Sequence, residues 1–167
     1  MILLFVHLIF GMFIFFLILA FLTGAPFVPS SNSTADAMIT QANIQKNSVI
    51  YDLGSGDGKL LFLAKKKGGR KIVGIEINPF LVLFTKLKIF LSHQKEIQVK
   101  LGNFWSANIS EADIVFVYLL PWKMEKLAKK LKKELKPGAR VVCNSFIFPG
   151  WHILREDKNH HVYVFEV

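Results

Sequence analysis

The chain has 167 residues, 52% of them hydrophobic, and a formal net charge of +9; its mean hydropathy is +0.39. Hydropathy this high points to a membrane segment beside one small domain with a real core. The single cysteine, Cys143, excludes a disulfide framework or zinc cluster. The basic excess is almost all lysine, with only Arg70, Arg140 and Arg155 as arginines, so it suits an anionic membrane surface or an acidic partner better than base-specific reading of nucleic acid.

From Ile2 to Leu22 every residue is apolar except His7 and Gly11. Twenty-one residues at 1.5 Å each span about 31 Å, close to the core of a bilayer. Residues 1–23 are therefore expected to be a transmembrane anchor. A secretory signal peptide is the rival reading, but it would want a basic start and a shorter apolar core. His7 has no partner nearby and reads as a packing or interfacial residue. Every Lys and Arg follows the span, beginning at Lys46, which places the remainder on the cytoplasmic side. Residues 24–33, with two prolines and several serines, read as a linker. Residues 34–167 are expected to form the folded domain.

That domain opens with a helix over Thr34–Asn43, capped by Ser33 or Ser31. Strands and helices then alternate. Strands are expected at Ser48–Leu53, Lys71–Glu76, Ile97–Leu101, Asp113–Leu119 and Ala139–Ser145, and helices at Gly58–Lys67, Pro79–Leu91 and Pro121–Lys136. Trp151–Glu156 and His161–Val167 form a terminal hairpin. Such alternation predicts an α/β fold with a doubly wound, mostly parallel sheet and helices on both faces. In the helix over Lys123–Lys136, Met124, Leu127, Ala128, Leu131 and Leu135 make a core stripe. Its seven lysines read as a solvated face or, alternatively, as a surface leaning on anionic headgroups.

The chain is organised around Asp52-Leu53-Gly54-Ser55-Gly56-Asp57-Gly58-Lys59. A strand ending in an acid, a glycine turn and a helix bring backbone N–H groups up to a ligand. Counting excludes two common glycine motifs. A dinucleotide fingerprint would need its third glycine at Lys59. A phosphate loop would need its first glycine at Leu53 and a hydroxyl at Leu60. What remains, D-x-G-x-G-x-G, resembles motif I of class I S-adenosylmethionine-dependent methyltransferases. Glu76 ends the next strand, 24 residues after Asp52, where a carboxylate can accept both hydroxyls of a free ribose.

Pro26-Phe27-Val28-Pro29-Ser30, the glycine motif, Gly74-Ile75-Glu76-Ile77-Asn78-Pro79-Phe80-Leu81, Asn103-Phe104-Trp105 and Phe146-Ile147-Phe148-Pro149-Gly150-Trp151 follow in that order. Together they resemble the membrane-anchored protein-lysine methyltransferases that modify the ATP synthase c-subunit and the adenine nucleotide translocase. The resemblance implies a Rossmann-like class I methyltransferase fold after the N-terminal transmembrane helix, with S-adenosyl-L-methionine as cofactor. By the same resemblance Asp52 would face the cationic methionyl amino group. Gly54, Gly56 and Gly58 would line the cofactor backbone, with Ser55 and Asp57 in the same turn. Glu76 would hold the ribose, and Asn78 and Pro79 would start a helix beside the adenosine. Asn103, Phe104 and Trp105 would contact the adenine. A core position is the alternative for Trp105, and a first-turn acid suited to the helix dipole is the alternative for Asp57. The chain is shorter than expected of mitochondrial members and lacks an Arg-rich presequence, which favours a prokaryotic plasma membrane over the mitochondrial inner membrane.

Enzymes that methylate base amines usually carry Asp/Asn-Pro-Pro-Tyr/Phe after the fourth strand. Here Val117-Tyr118-Leu119-Leu120-Pro121-Trp122 has no polar residue immediately before Pro121. An apolar, aromatic gate suits the methylenes of a lysine. Tyr118, Pro121, Trp122, Asn144 and Phe146 are the candidates for that channel; Trp122 and Phe146 could also be plain core. No residue is assigned as a catalytic base, and His93, His152, His160 and His161 read as solvated. Three functions stay open: a membrane-tethered protein-lysine methyltransferase, a lipid or small-molecule methyltransferase acting on a phospholipid headgroup or quinone, and a non-catalytic cofactor-binding protein. Nucleic acid is not expected as a partner, because no basic-aromatic module is appended.

Overall fold

The computed structural model describes residues 2–23 and 29–167, without the side chains of 17 and 19–23. The Pro26-Phe27-Val28 part of the proline-flanked motif and half of the expected linker, residues 24–28, lie outside what is described. Five helices and seven strands follow in the described residues: α1 (Ile2–Thr23), α2 (Asn32–Ala42), β1 (Val49–Leu53), α3 (Lys59–Lys66), β2 (Lys71–Glu76), α4 (Pro79–Leu91), β3 (Ile97–Leu101), β4 (Ile114–Val117), α5 (Met124–Glu134), β5 (Arg140–Asn144), β6 (Ile153–Asp157) and β7 (Val162–Glu166).

The strands form one sheet in the order β3-β2-β1-β4-β5-β7-β6. The first five are parallel, and the β6–β7 hairpin adds to β5 in the antiparallel sense. The expected α/β sheet is thus observed. Its order reverses at β1, whose neighbours are β2 and β4, and ligands of open α/β sheets bind beyond the strand ends at such a reversal.

Both faces of the sheet are apolar, and the period-2 alternation of strand side chains assigns residues to each. Val49, Tyr51, Leu53, Val115, Val117, Val141 and Cys143 pack with the α5 stripe and with Phe104 and Ile109 of the 102–113 loop. Ile50, Ile72, Ile114, Phe116 and Val142 pack with Met38 and Ile39 of α2 and Leu61 and Ala64 of α3. Cys143 is fully buried, and burial pushes its thiol up, so it is inert.

Several expectations change at their edges. Helix α2 starts at Asn32, capped by Ser31, whose Oγ accepts the Thr34 N–H at 3.0 Å. The helix expected over Pro121–Lys136 is a 3₁₀ turn, Pro121–Lys123, followed by α5. Pro121 suits the first position of that turn because its missing N–H costs nothing there. Lys130 is not part of a solvated lysine face. Its ammonium donates to the Ala107 carbonyl at 2.7 Å and pairs with Glu134 at 2.6 Å, pinning the 102–113 loop to α5. His160 likewise pairs with Asp157 at 3.0 Å within the hairpin turn.

Helix α1 runs over Ile2–Thr23, yet among the described residues no helix is long and apolar enough to cross a membrane. The expected anchor is therefore not carried by the described structure.

Candidate functional site

The site is built where β1 and β2 end side by side. Their register pairs Asp52 with Gly74 and Leu53 with Ile75. The glycine turn then folds over the tip of β2, because the N–H groups of Gly54 and Ser55 both donate to the Ile75 carbonyl, at 2.8 and 3.1 Å. Gly54, Gly56 and Gly58 all have φ between 54° and 86°, the left-handed region that glycine enters without strain.

Glu76 is buried and clamps this turn. One carboxylate oxygen accepts the Gly56 N–H at 2.8 Å and the other accepts the Asn78 N–H at 2.9 Å. A carboxylate has roughly four acceptor positions, so both oxygens keep capacity for a pair of hydroxyls. Asn78 caps α4, its side-chain oxygen accepting the Phe80 N–H at 2.9 Å, and Pro79 takes the first helical position.

Asp52 is 5% exposed. Burial, followed by the Glu76 and Asp57 carboxylates, pushes its pKa up to about 8. A buried acid raised by neighbouring acids is stabilised as an anion by a cation placed beside it. The donor set at this tip therefore fits a ligand with vicinal hydroxyls and positive charge. S-adenosylmethionine, with a free ribose, an ammonium and a sulfonium, has that chemistry.

The remaining expected residues fall into three groups. Asp57 lies one residue before Gly58, the N-cap of α3, and so outside the first helical turn, and its side chain accepts the Lys59 N–H at 3.2 Å. Ser55 turns its Oγ inward, buried and without a hydrogen-bond partner among the described residues. Asn103, Phe104 and Trp105 follow β3: Asn103 accepts the Trp105 N–H at 3.0 Å, Phe104 is buried, and Trp105 is partly buried against the core with Lys126 over its ring at 4.6 Å. Tyr118, Pro121 and Trp122 leave β4 at the same end of the sheet, and Asn144 and Phe146 leave β5. Trp122 is 61% exposed and thus is not core, while Phe146 packs partly against the core.

Four features at this end were not read from the sequence. Gly74 is required by close approach: a Cβ there would lie 2.5 Å from Ser55 Oγ and 2.8 Å from Leu61 Cδ1. Gly58 is crowded by Thr85 of α4, which would lie 2.7 Å from an added Cβ, so this glycine seats α4 on the turn. Lys88, one helical turn beyond Thr85, donates to the Asp57 carbonyl at 2.8 Å; that i, i+3 spacing is the signal that could have found it. Ser30 is held from two sides, its carbonyl by Lys59 Nζ at 2.6 Å and its hydroxyl by Asn144 Nδ2 at 3.4 Å. The segment before α2 is thereby tied to the glycine turn and to the end of β5. Ser145, just beyond, has φ of 67°, which turns the chain sharply into Phe146.

Comparison with known proteins gives this geometry a family. The profile of the ANTKMT methyltransferase domain matches residues 52–155. A protein-lysine N-methyltransferase of Saccharolobus islandicus is 34% identical, over 89% of this chain and 98% of the relative. The ATP synthase c-subunit lysine N-methyltransferase of Homo sapiens is 32% identical over 75% of this chain but 54% of its own length, so this chain spans about half of that relative. Among solved structures, an RNA methyltransferase from Salinibacter ruber in complex with S-adenosyl-L-homocysteine superposes with a TM-score of 0.79 at 34% identity, over 84% of this chain and 94% of that one.

Proposed function

The chain belongs to the ANTKMT methyltransferase family, an S-adenosylmethionine-dependent family, and from that premise we propose that it methylates the side-chain amine of a lysine in a protein while held to a membrane by α1. Asp52 holds the ligand's ammonium, Glu76 its ribose hydroxyls, and the Gly54–Gly58 turn its backbone, with Ser55 and Asp57 shaping that turn. Asn78 flanks the adenosine, and Asn103, Phe104 and Trp105 border the adenine.

The observation that carries the choice of acceptor is the gate between β4 and α5. Leu119 is buried, Leu120 is half-buried and Trp122 stands at the rim, so no side-chain acceptor for a nucleobase amine stands immediately before Pro121. Apolar walls suit the four methylenes of lysine. Tyr118, Pro121, Trp122, Asn144 and Phe146 position that chain. Bound here, S-adenosylmethionine would supply an electrophilic methyl group for the lysine amine, with the thioether sulfur as leaving group and the displaced proton released to solvent. The residues of this chain align the amine and exclude water, which favours its unprotonated form.

The tether is supported by the apolar run Ile2–Leu22, interrupted only by His7 and Gly11, and by the exposure of the described α1 side chains, 81% at Ile2 and 63% at Phe10. His7 turns Nδ1 to the Leu3 carbonyl at 2.7 Å, which satisfies its polar edge within the helix. With all basic residues after the span, the catalytic domain lies on the cytoplasmic side, a prokaryotic plasma membrane being favoured.

Incubating the full chain with radiolabelled S-adenosylmethionine and fractionated membranes tests the acceptor. Label in a protein band, recovered as methyl-lysine after hydrolysis, is expected. Label only in the lipid extract or in nuclease-sensitive RNA overturns it. Glu76→Gln is expected to lower cofactor affinity at least tenfold by calorimetry; unchanged affinity would remove Glu76 from the ribose site.

A further inference from the structure

Helix α4 is apolar on two sides. Val82 and Thr85 are buried and Ile89 packs against the core, which accounts for one face. Phe80, Leu83, Phe84, Leu87, Phe90 and Leu91 recur at i, i+3, i+4, i+7, i+10 and i+11 and form a second stripe. All six are exposed, from 42% at Phe80 to 73% at Phe90. Leu101, at the end of the neighbouring edge strand β3, is also exposed, at 59%. A contiguous patch of this kind marks an interaction surface, and a polar face is what a solvated helix would carry there.

Three observations identify what covers it. First, the stripe is continuous with α1: the Phe16 and Phe80 rings meet edge-on at 6.4 Å, and Val6, Ile9, Phe10, Phe13 and Phe80 line one apolar groove between the two helices. Second, α4 carries two lysines and no acid. Lys88 is engaged with the Asp57 carbonyl, but Lys86 and Lys100 border a second groove beside Phe90, at the rim of the patch. Third, Glu96, which directly precedes β3, is already paired with Lys65 at 2.8 Å. An apolar stripe with a basic rim fits the boundary between acyl chains and anionic headgroups.

We propose that α4 is a membrane-contacting helix, lying in the interface of an anionic phospholipid bilayer beside α1. This rests in part on the tether reading, and it adds an orientation. Because α4 starts directly after the Glu76–Asn78 tip, that tip is held against the bilayer.

Nitroxide labels test it in the full chain. Leu83→Cys, Leu87→Cys and Phe90→Cys are made one at a time; Cys143 is fully buried and stays unlabelled. Asn159→Cys, at the tip of the β6–β7 hairpin, is the aqueous control. The proteins are reconstituted in vesicles of phosphatidylcholine with a minority of phosphatidylglycerol. The expected result is a severalfold loss of collision with a nickel chelate, and a gain with oxygen, at all three α4 labels relative to the control. If the protein floats with the vesicles but the α4 labels match the control, the inference falls and the tether stands. If the labels broaden one another, a second copy covers the face and the inference falls. If the protein does not float, tether and inference fall together.

Discussion

Asp52 is where the electrostatics of this protein concentrate. Its carboxyl is held at about 8 in the folded protein by burial and then by Glu76 and Asp57, against about 3.9 in an unfolded chain. The folded state thus keeps a proton that the unfolded state has lost. The resulting stability is fully present below pH ~4 and is lost as pH rises toward 8, by up to about 1.4 kcal/mol per unit. Thermal melts of the ligand-free protein should fall across this window in the wild type and much less in Asp52→Asn. A cationic ligand reverses the preference, so cofactor affinity should rise with pH up to about 8. Calorimetry in buffers of different ionisation enthalpy should detect about one proton released at neutral pH, and none in Asp52→Asn. Gly74 is a second single-residue control point. Its added methyl would meet Ser55 and Leu61 side chains at 2.8 Å or less, so Gly74→Ala should destabilise by about 1–3 kcal/mol through overpacking. It should also weaken cofactor binding by moving the turn, read from denaturant melts and calorimetry.

At the scale of elements, the C-terminal hairpin closes the sheet and its core. Phe165 of β7 is fully buried, with Phe148 at 5.2 Å and Trp151 at 6.1 Å between ring centres, and Lys132 of α5 lies over Trp151 at 5.1 Å. The Phe148-Pro149-Gly150-Trp151 stretch therefore joins hairpin to helix, which gives that motif a structural reason. Phe165→Ala should cost about 3–5 kcal/mol in denaturant unfolding and detach the β6–β7 hairpin, with backbone exchange rising at Val162–Glu166 before β1 or β2. Strands β2 and β3 and helix α4 have the bounds expected from the sequence, because each is bracketed by Pro, Gly or charge. Helix α5 does not, because the 3₁₀ turn at Pro121–Lys123 is set by how the chain leaves β4.

For the whole molecule, the proposed tether and simple adsorption predict different responses to salt. An α1 that inserts resists salt, whereas adsorption through the lysines of α5 and β3 weakens as ions screen it. Flotation of the full chain with vesicles should therefore survive molar salt. Release by salt would leave only peripheral adsorption. The strap at Ser30 ties the residues just before α2 to Lys59 and Asn144 through hydrogen bonds, so the entry to α2 is coupled to the glycine turn and to the end of β5.

By itself the sequence determined the alternating α/β plan, the glycine turn with its acid, and the acid at the tip of the second strand. These are local signals: period-2 apolar runs, glycines at fixed offsets, and a carboxylate a set distance along the chain. Only the tertiary structure decided that Glu76 spends one oxygen on the glycine turn itself, that Gly74 and Gly58 are glycines because Ser55 and Thr85 crowd them, and that Lys130 is engaged instead of solvated. It also left the second face of α4 bare. Each of these depends on which residues distant in the chain are brought within contact, and no spacing along one strand or helix encodes that.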